Sequence, residues 1–289
     1  MFFLPVLPIK NMHLQKCLTF GVHIITLVSI FLFTLLTGCS NSASENNNNI
    51  SEVRNENPAS DFNYSIDADN NIGIERYIGQ STNVVIPEKI DGLPVTAILP
   101  NAFAGTNIES VDIPDTVTII WDDAFNCCQE LHTVKMGNGV TKIGTQSFKK
   151  CKNLKVLTLS KNLIKLGTSA FEQCENLEEV FIPKTVSEWG MQVFFGCPLT
   201  SLTFEDGIKS IGSYASFWGS VFNEITIPAS VEQFGEYTFH DNLEKIVFLG
   251  DAPKETGKQP FGTKATIYCK ESSDGWNNSV FEKYSFIYQ

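Results

Sequence analysis

Histidine is scarce in this 289-residue sequence, with four copies. His13 and His23 lie in the first 38 residues, which leaves His132 and His240 for the body of the chain. These two belong to different repeats and neither has a serine or cysteine motif around it, so they do not form a catalytic pair. There is no phosphate-binding glycine loop, no HExxH and no nucleophile elbow. Nothing supports an enzyme, and no cofactor is expected. A basic excess is also lacking, since 21 Lys and Arg face 32 Asp and Glu for a formal charge of −11. The first 38 residues hold Lys10 and Lys16 and no acid, so removing them takes the charge to −13. An acidic surface repels phosphate backbones, which argues against nucleic acid as a partner and equally against a polybasic grip on anionic lipid. Phenylalanine, by contrast, is abundant at 22 copies, and 43% apolar residues suffice for a core.

The first 38 residues read as an address rather than as structure. Lys10 and Lys16 form a modest positive region, and an apolar run follows from Leu18 to Leu36. The run ends in Leu36, Thr37, Gly38 and Cys39, a tetrapeptide that resembles the bacterial lipobox, in which the cysteine thiol receives a diacylglyceryl group. Cys39 is thus the expected lipidation site and mature N-terminus, and a start at Met12 gives the signal a more usual length. The other reading is a plain transmembrane anchor, since the run is nearly long enough to span a bilayer. Residues 39–60 read as a lipidated, flexible tether. The stretch from Ser40 to Pro58 is polar and Asn-rich, and it cannot bury enough surface to offset its ordering entropy.

Self-comparison of the remainder shows a unit of about 23 residues beginning at Ile108, Leu131, Leu154, Leu177, Leu199, Phe222 and Leu243. Its fourth position is aliphatic (Val111, Val134, Leu157, Val180) and its sixth is apolar (Ile113, Met136, Leu159, Ile182), with polar residues between. That alternation predicts a strand with one buried face. Proline ends several of these strands, at Pro114, Pro183 and Pro228. Glycine then follows the thirteenth position, at Gly144, Gly167, Gly190, Gly212 and Gly235, where a turn is expected. Phenylalanine fills the eighteenth position at Phe125, Phe148, Phe171, Phe194 and Phe239, and cysteine the twenty-first at Cys128, Cys151, Cys174 and Cys197. Three residues apart, these two positions predict one side of a single helical turn. One unit cannot bury its own apolar side, whereas stacked copies bury a continuous column.

These columns resemble the BspA-like, type-5 leucine-rich repeat family of bacterial surface proteins, from Phe62 to about Gln289. The segment from Asn83 to Thr106, with Ile86, Pro87, Ile98 and Phe103 in register, is similar to that family's usual first repeat. The resemblance implies a right-handed, β-rich solenoid of about seven to eight coils. Residues 61–107 are an N-terminal hairpin cap and first repeat, 108–248 the repeats, and 249–289 a C-terminal cap with a final strand near Phe286 to Tyr288. The repeat at Leu199 departs from the pattern, reading SYASFWGSV where phenylalanine and cysteine belong, and Trp189 replaces an aliphatic residue.

Two metal-like patterns have simpler readings. The column cysteines, with Cys127 beside the first, recur once per coil instead of converging on a point, so they read as buried thiols and not as zinc ligands. Disulfides are harder to exclude in an exported protein, but stacked side chains about 4.8 Å apart exceed the roughly 3.8 Å that bridged Cβ atoms prefer, which favours free thiols. Asp67, Asp69, Asn71 and Gly73 match the start of a calcium loop, but the sixth position is Ile72 and the twelfth Ile78, so a hairpin turn is expected.

The resemblance implies a non-enzymatic cell-surface lipoprotein that binds proteins of a host or neighbouring cell, held to the membrane through its lipid. The rival is a structural envelope lipoprotein or scaffold that binds the cell's own components. Strand positions three and five should point away from the core. The fifth-position column reads Asp112, Lys135, Thr158, Phe181, Thr203, Thr226 and Val247, and Val156 stands in the third. Phe181, flanked by Val156 and Thr158, is the apolar exception on a polar face. The candidate ligand-binding residues are therefore Phe181, Val156, Lys135, Thr158 and Thr203. Trp218 joins them because, with Trp189, Tyr214 and Phe217, it breaks the repeat rule.

Overall fold

The computed structural model describes residues 55–239, 242–277 and 280–289. The expected lipid site at Cys39, the signal segment and His240 therefore lie outside the described residues.

A hairpin opens the described fold, Phe62–Ile66 running antiparallel to Ile72–Tyr77. Its turn is held by one carboxylate: Asp67 Oδ1 accepts the backbone N–H groups of Asp69 and Asn71, both at 2.9 Å. Asn70 at φ 60° completes a local turn of the kind that Asp and Asn favour. These hydrogen bonds pull the Asp67 carboxyl below its ordinary range, that from the Asn71 backbone foremost.

From there the chain coils. Each turn contributes one short strand to each of two parallel sheets. The first is built from strand positions three to six, as in Ser110–Ile113 paired with Thr133–Met136, with Val111 opposite Val134. The second uses two-residue strands such as Ile119–Ile120, Lys142–Ile143 and Lys165–Leu166. Side chains at positions four and six are buried, as the alternation requires, except for Leu157 and Leu202, which are half-buried. Glycine at the end of the second strand is imposed by coil-to-coil approach, since a Cβ on Gly167 would overlap the Gly144 backbone.

The third side differs from the expected helical turn. Successive coils in the middle of the array carry two left-handed residues four apart there, as at Asp123 and Cys127, Gln146 and Lys150, or Ser169 and Gln173. An α-helix would close its hydrogen bonds within itself. Here local bonds such as Asn126 N–H to Asp123 O at 3.0 Å alternate with bonds to the next coil: Phe125 N–H donates to Ser147 O at 2.7 Å, and Phe148 N–H to Ala170 O at 2.8 Å. Intercoil bonding offsets the strain of non-glycine residues at positive φ.

Inside this corner the phenylalanines form a stack. Successive ring centroids from Phe103 through Phe125, Phe148, Phe171 and Phe194 are 4.7, 4.8, 5.2 and 5.1 Å apart. Phe217 continues the column at 5.8 Å and is fully buried, so it does not break the repeat rule as its sequence context suggests. The reason is a compensating frame shift. Cys197, Pro198 and Leu199 make a turn one residue shorter than Cys174 to Leu177, and the next segment restores that residue before Phe217. Beside the rings, the column thiols each bond a carbonyl one coil back: Cys128 Sγ to Phe103 O at 3.0 Å, Cys151 to Phe125 O at 3.1 Å and Cys197 to Phe171 O at 3.1 Å. All six cysteines of the described residues are free.

The array also runs further than the expected seven to eight coils, to about nine turns. Residues 249–289 keep the solenoid path: Glu255–Thr256 pairs with Gln233–Phe234, and Thr266–Cys269 with Lys245–Phe248, all parallel. Phe261 extends the ring column, 6.0 Å from Phe239. The last strand, Ser285–Tyr288, pairs parallel with Thr266–Cys269. At the other end Asn57, inside the stretch expected to be a tether, already bonds the strand Asn83–Val85. Its N–H donates to Val85 O at 2.9 Å, and its Oδ1 accepts Val85 N–H at 2.8 Å.

Candidate binding face

The first sheet presents its third- and fifth-position side chains outward. Thr158 lies opposite Lys135, and Phe181 opposite Thr203, so the fifth-position column follows the register that the spacing implies. Lys135, Thr158, Phe181 and Thr203 are all exposed. Phe181 is 53% and Val156 48% exposed, which is high for large apolar side chains in a protein with so complete a core.

The sheet itself is not continuous here. No ladder joins Val156–Thr158 to Glu179–Ile182, and none joins Ser201–Phe204 to Glu224–Ile227 among the described residues. The first of these seams opens a groove of about 290 Å³ whose walls include Val156, Glu179, Phe181, Ser201 and Thr203. Three of the expected site residues, Val156, Phe181 and Thr203, therefore meet at one depression. Lys135 and Thr158 continue the same column without lining it. A second groove of about 500 Å³ follows at the other seam, bordered by Thr203, Thr226 and Leu249.

Trp218 stands elsewhere. It sits in the third-side turn, 39% exposed, and its Nε1 donates to Tyr237 O at 3.0 Å. It shares no groove with Phe181. The seams are what sequence reasoning missed. The 22-residue spacing between Leu177 and Leu199 marks a tightened turn, where Leu199 N–H reaches Cys197 O at 2.9 Å, but it falls between two strands that do pair and gives no sign of either seam.

Charge on the other sides of the solenoid is organised between coils. Lys149 pairs with Glu172 at 3.1 Å, Lys152 with Glu175 at 2.8 Å and Lys165 with Glu188 at 2.9 Å, each one coil on. Glu232 lies between Lys209 at 2.7 Å and Lys254 at 2.9 Å, and these two ammonium groups pull its carboxyl down to about 2. Among the described residues, no group of three or more His, Cys, Asp or Glu converges to hold a metal ion.

This architecture has close counterparts. Six copies of the BspA type leucine rich repeat region match residues 96–221 and 191–286. A leucine-rich repeat protein of T. pallidum, solved by crystallography, is 27% identical over 71% of this chain and 87% of its own, with a TM-score of 0.54. A leucine-rich cell surface protein of Faecalibacterium prausnitzii is 21% identical over 72% of this chain and 74% of its own, with a TM-score of 0.50, which concerns the fold alone. No curated protein matches the chain. With the stacked coils, the phenylalanine column and the repeat match all in agreement, the chain belongs to the BspA-type leucine-rich repeat family.

Proposed function

We propose that this protein is a lipid-anchored surface protein, outward-facing on a bacterial cell, that binds a protein of a host or neighbouring cell through the face around Phe181. The observation that carries the reading is Phe181 itself, more than half exposed at the mouth of a groove and flanked by Val156 on an otherwise polar sheet. Interface hot spots are large, central side chains of this kind, ringed by polar neighbours that exclude water. Membership of a leucine-rich repeat family supports a binding role over a catalytic one. The lipobox-like Leu36–Cys39 supports the anchor.

Cells displaying the wild-type chain or Phe181→Ala are compared for attachment to host epithelial monolayers and to neighbouring bacteria. Losing one hot spot costs about 2 kcal/mol, or roughly a 30-fold weaker interaction. Equal attachment with equal surface display removes Phe181 from the binding face. Protease shaving of intact cells releases an outward-facing protein and spares one that scaffolds the inner envelope. Cys39→Ala moves the protein from the detergent phase to the aqueous phase if Cys39 carries the lipid, and leaves partitioning unchanged if the apolar run is the anchor.

A further inference from the structure

The second sheet has a seam of its own. Along it each glycine after the thirteenth position donates its N–H one coil back: Gly144 to Ile120 O at 2.8 Å, Gly167 to Ile143 O at 2.8 Å, Gly190 to Leu166 O at 2.7 Å, Gly235 to Ile211 O at 3.1 Å and Gly257 to Phe234 O at 2.9 Å. Gly212 is the exception. No ladder joins Glu188–Trp189 to Ser210–Ile211, and the Gly212 N–H makes no such bond among the described residues. Its backbone turns instead to φ +67°, unlike the other glycines of the column.

Trp189 borders this opening. It stands where other coils carry Ile143, Leu166 or Ile211, and its indole is too large to stack flat in that column. The ring meets Phe217 edge-on at 6.0 Å, and Nε1 donates to Ser210 O at 3.1 Å, in place of the missing ladder. The result is a groove of about 430 Å³ with the half-buried indole on one side, a floor of Gly212, Gly235 and Gly257, and a rim of hydroxyls, amide and carboxylate. On that rim Gln233 Nε2 donates to Glu255 Oε2 at 2.9 Å, which sets two planar polar groups side by side.

We propose that this groove is a carbohydrate-binding site for one or two hexose units of a neutral glycan. The volume falls in the range of small-ligand sites. A pyranose has an apolar C–H face and a girdle of hydroxyls, and the groove offers a matching set: an indole wall for the face, and Gln233, Glu255, Ser187 and Ser213 for the hydroxyls. A glycine floor lets the ring approach the Gly212 N–H, which the broken ladder leaves without the bond its counterparts make, and such a group calls for a partner. An anionic ligand fits poorly, because the only charge on the groove wall is the Glu255 carboxylate. The site lies on the second sheet, away from Phe181, so it does not depend on the protein-binding reading.

The test uses the described chain with its tether, and three soluble probes: maltotetraose, cellotetraose and chitotetraose. Each is added to ~10 mM, above the millimolar Kd typical of a shallow site. The indole N–H resonance of Trp189 is followed by NMR, assigned with Trp189→Phe. One probe is expected to shift that resonance saturably. Gln233→Ala and Glu255→Ala, both at solvent-facing positions that preserve the core, should each weaken the response at least fivefold, and Phe181→Ala should leave it unchanged. No saturable shift with any probe overturns the proposal, as does a shift that survives both rim variants.

Discussion

Ser220 offers a sharp test of how the thiol column works. It stands where Cys128, Cys151, Cys174 and Cys197 stand in earlier coils, and it is 2% exposed. In those coils the sulfur reaches the carbonyl of the phenylalanine one coil back. The equivalent acceptor for Ser220 is Phe194 O, but Ser220 Oγ has no hydrogen-bond partner. A hydroxyl sits closer to its Cβ than a thiol does, and the ring spacing is wider here than in the preceding coils, at 5.8 Å between Phe194 and Phe217. Burying the orphan hydroxyl costs about 1–3 kcal/mol, and a bond recovered in its place contributes about 0.5–1.5 kcal/mol. Ser220→Cys is therefore expected to stabilise the fold by about 2 kcal/mol, and Ser220→Ala, which only removes the orphan, by about 1 kcal/mol. For a domain of this size each kcal/mol corresponds to about 2–4 °C in Tm. Thermal and urea unfolding under reductant measure both variants. A loss of stability in Ser220→Ala would mean the hydroxyl is bonded after all, and the argument from bond length would fail.

Other expectations follow from the same geometry. Phe148→Ala, which empties a site stacked on both sides, should cost about 3–5 kcal/mol, whereas Phe181→Ala should stay within about 0.5 kcal/mol in urea unfolding. Under native conditions an alkylating agent should modify Cys127 first among the described cysteines, since the others are buried and burial pushes the Cys151 and Cys174 thiols well up; rapid modification of Cys174 would contradict this. Glu232 should titrate near pH 2 by NMR, because Lys209 and Lys254 favour its charged form. Its folded value is depressed, so its contribution is complete above the ordinary carboxylate range and fades as pH falls from about 4.5 toward 2. Lys209→Ala or high salt should raise that value, and an unchanged titration would mean the pairing is not maintained in solution.

Most of the solenoid was legible because stacking imposes one residue type per column. Ile143, Leu166 and Ile211 announce a buried strand end, and Phe125 through Phe194 announce the ring stack. Phe261 was harder to read, since the turn before it, Lys258 to Pro260, has none of the repeat's signature residues, and only the parallel pairing of Glu255–Thr256 reveals another coil. The left-handed pair in the middle coils was not legible either, because Asp123, Gln146 and Ser169 share no side-chain type. What fixes their φ is the hydrogen bond to the neighbouring coil, a long-range demand that leaves little local trace. Of the binding face, the outward column was readable from alternation. The seams beside it were not, since the spacings across both of them, Leu154 to Leu177 and Leu199 to Phe222, are the regular 23 residues.

The ion pairs between coils also bear on how such a chain can grow. Repeat arrays lengthen when a stretch of gene is copied in tandem, and a neutral repeat would tolerate the copy. Here Lys149 and Lys152 belong to one coil and their partners Glu172 and Glu175 to the next. A second copy of the lysine-bearing coil would set ammonium above ammonium at one coil's rise, while the copy beside Glu172 and Glu175 would keep the pairs. Those junctions are thus matched in charge to their neighbours. A duplication there costs like-charge contacts at one new junction, a small penalty that later substitutions at the exposed lysines can remove.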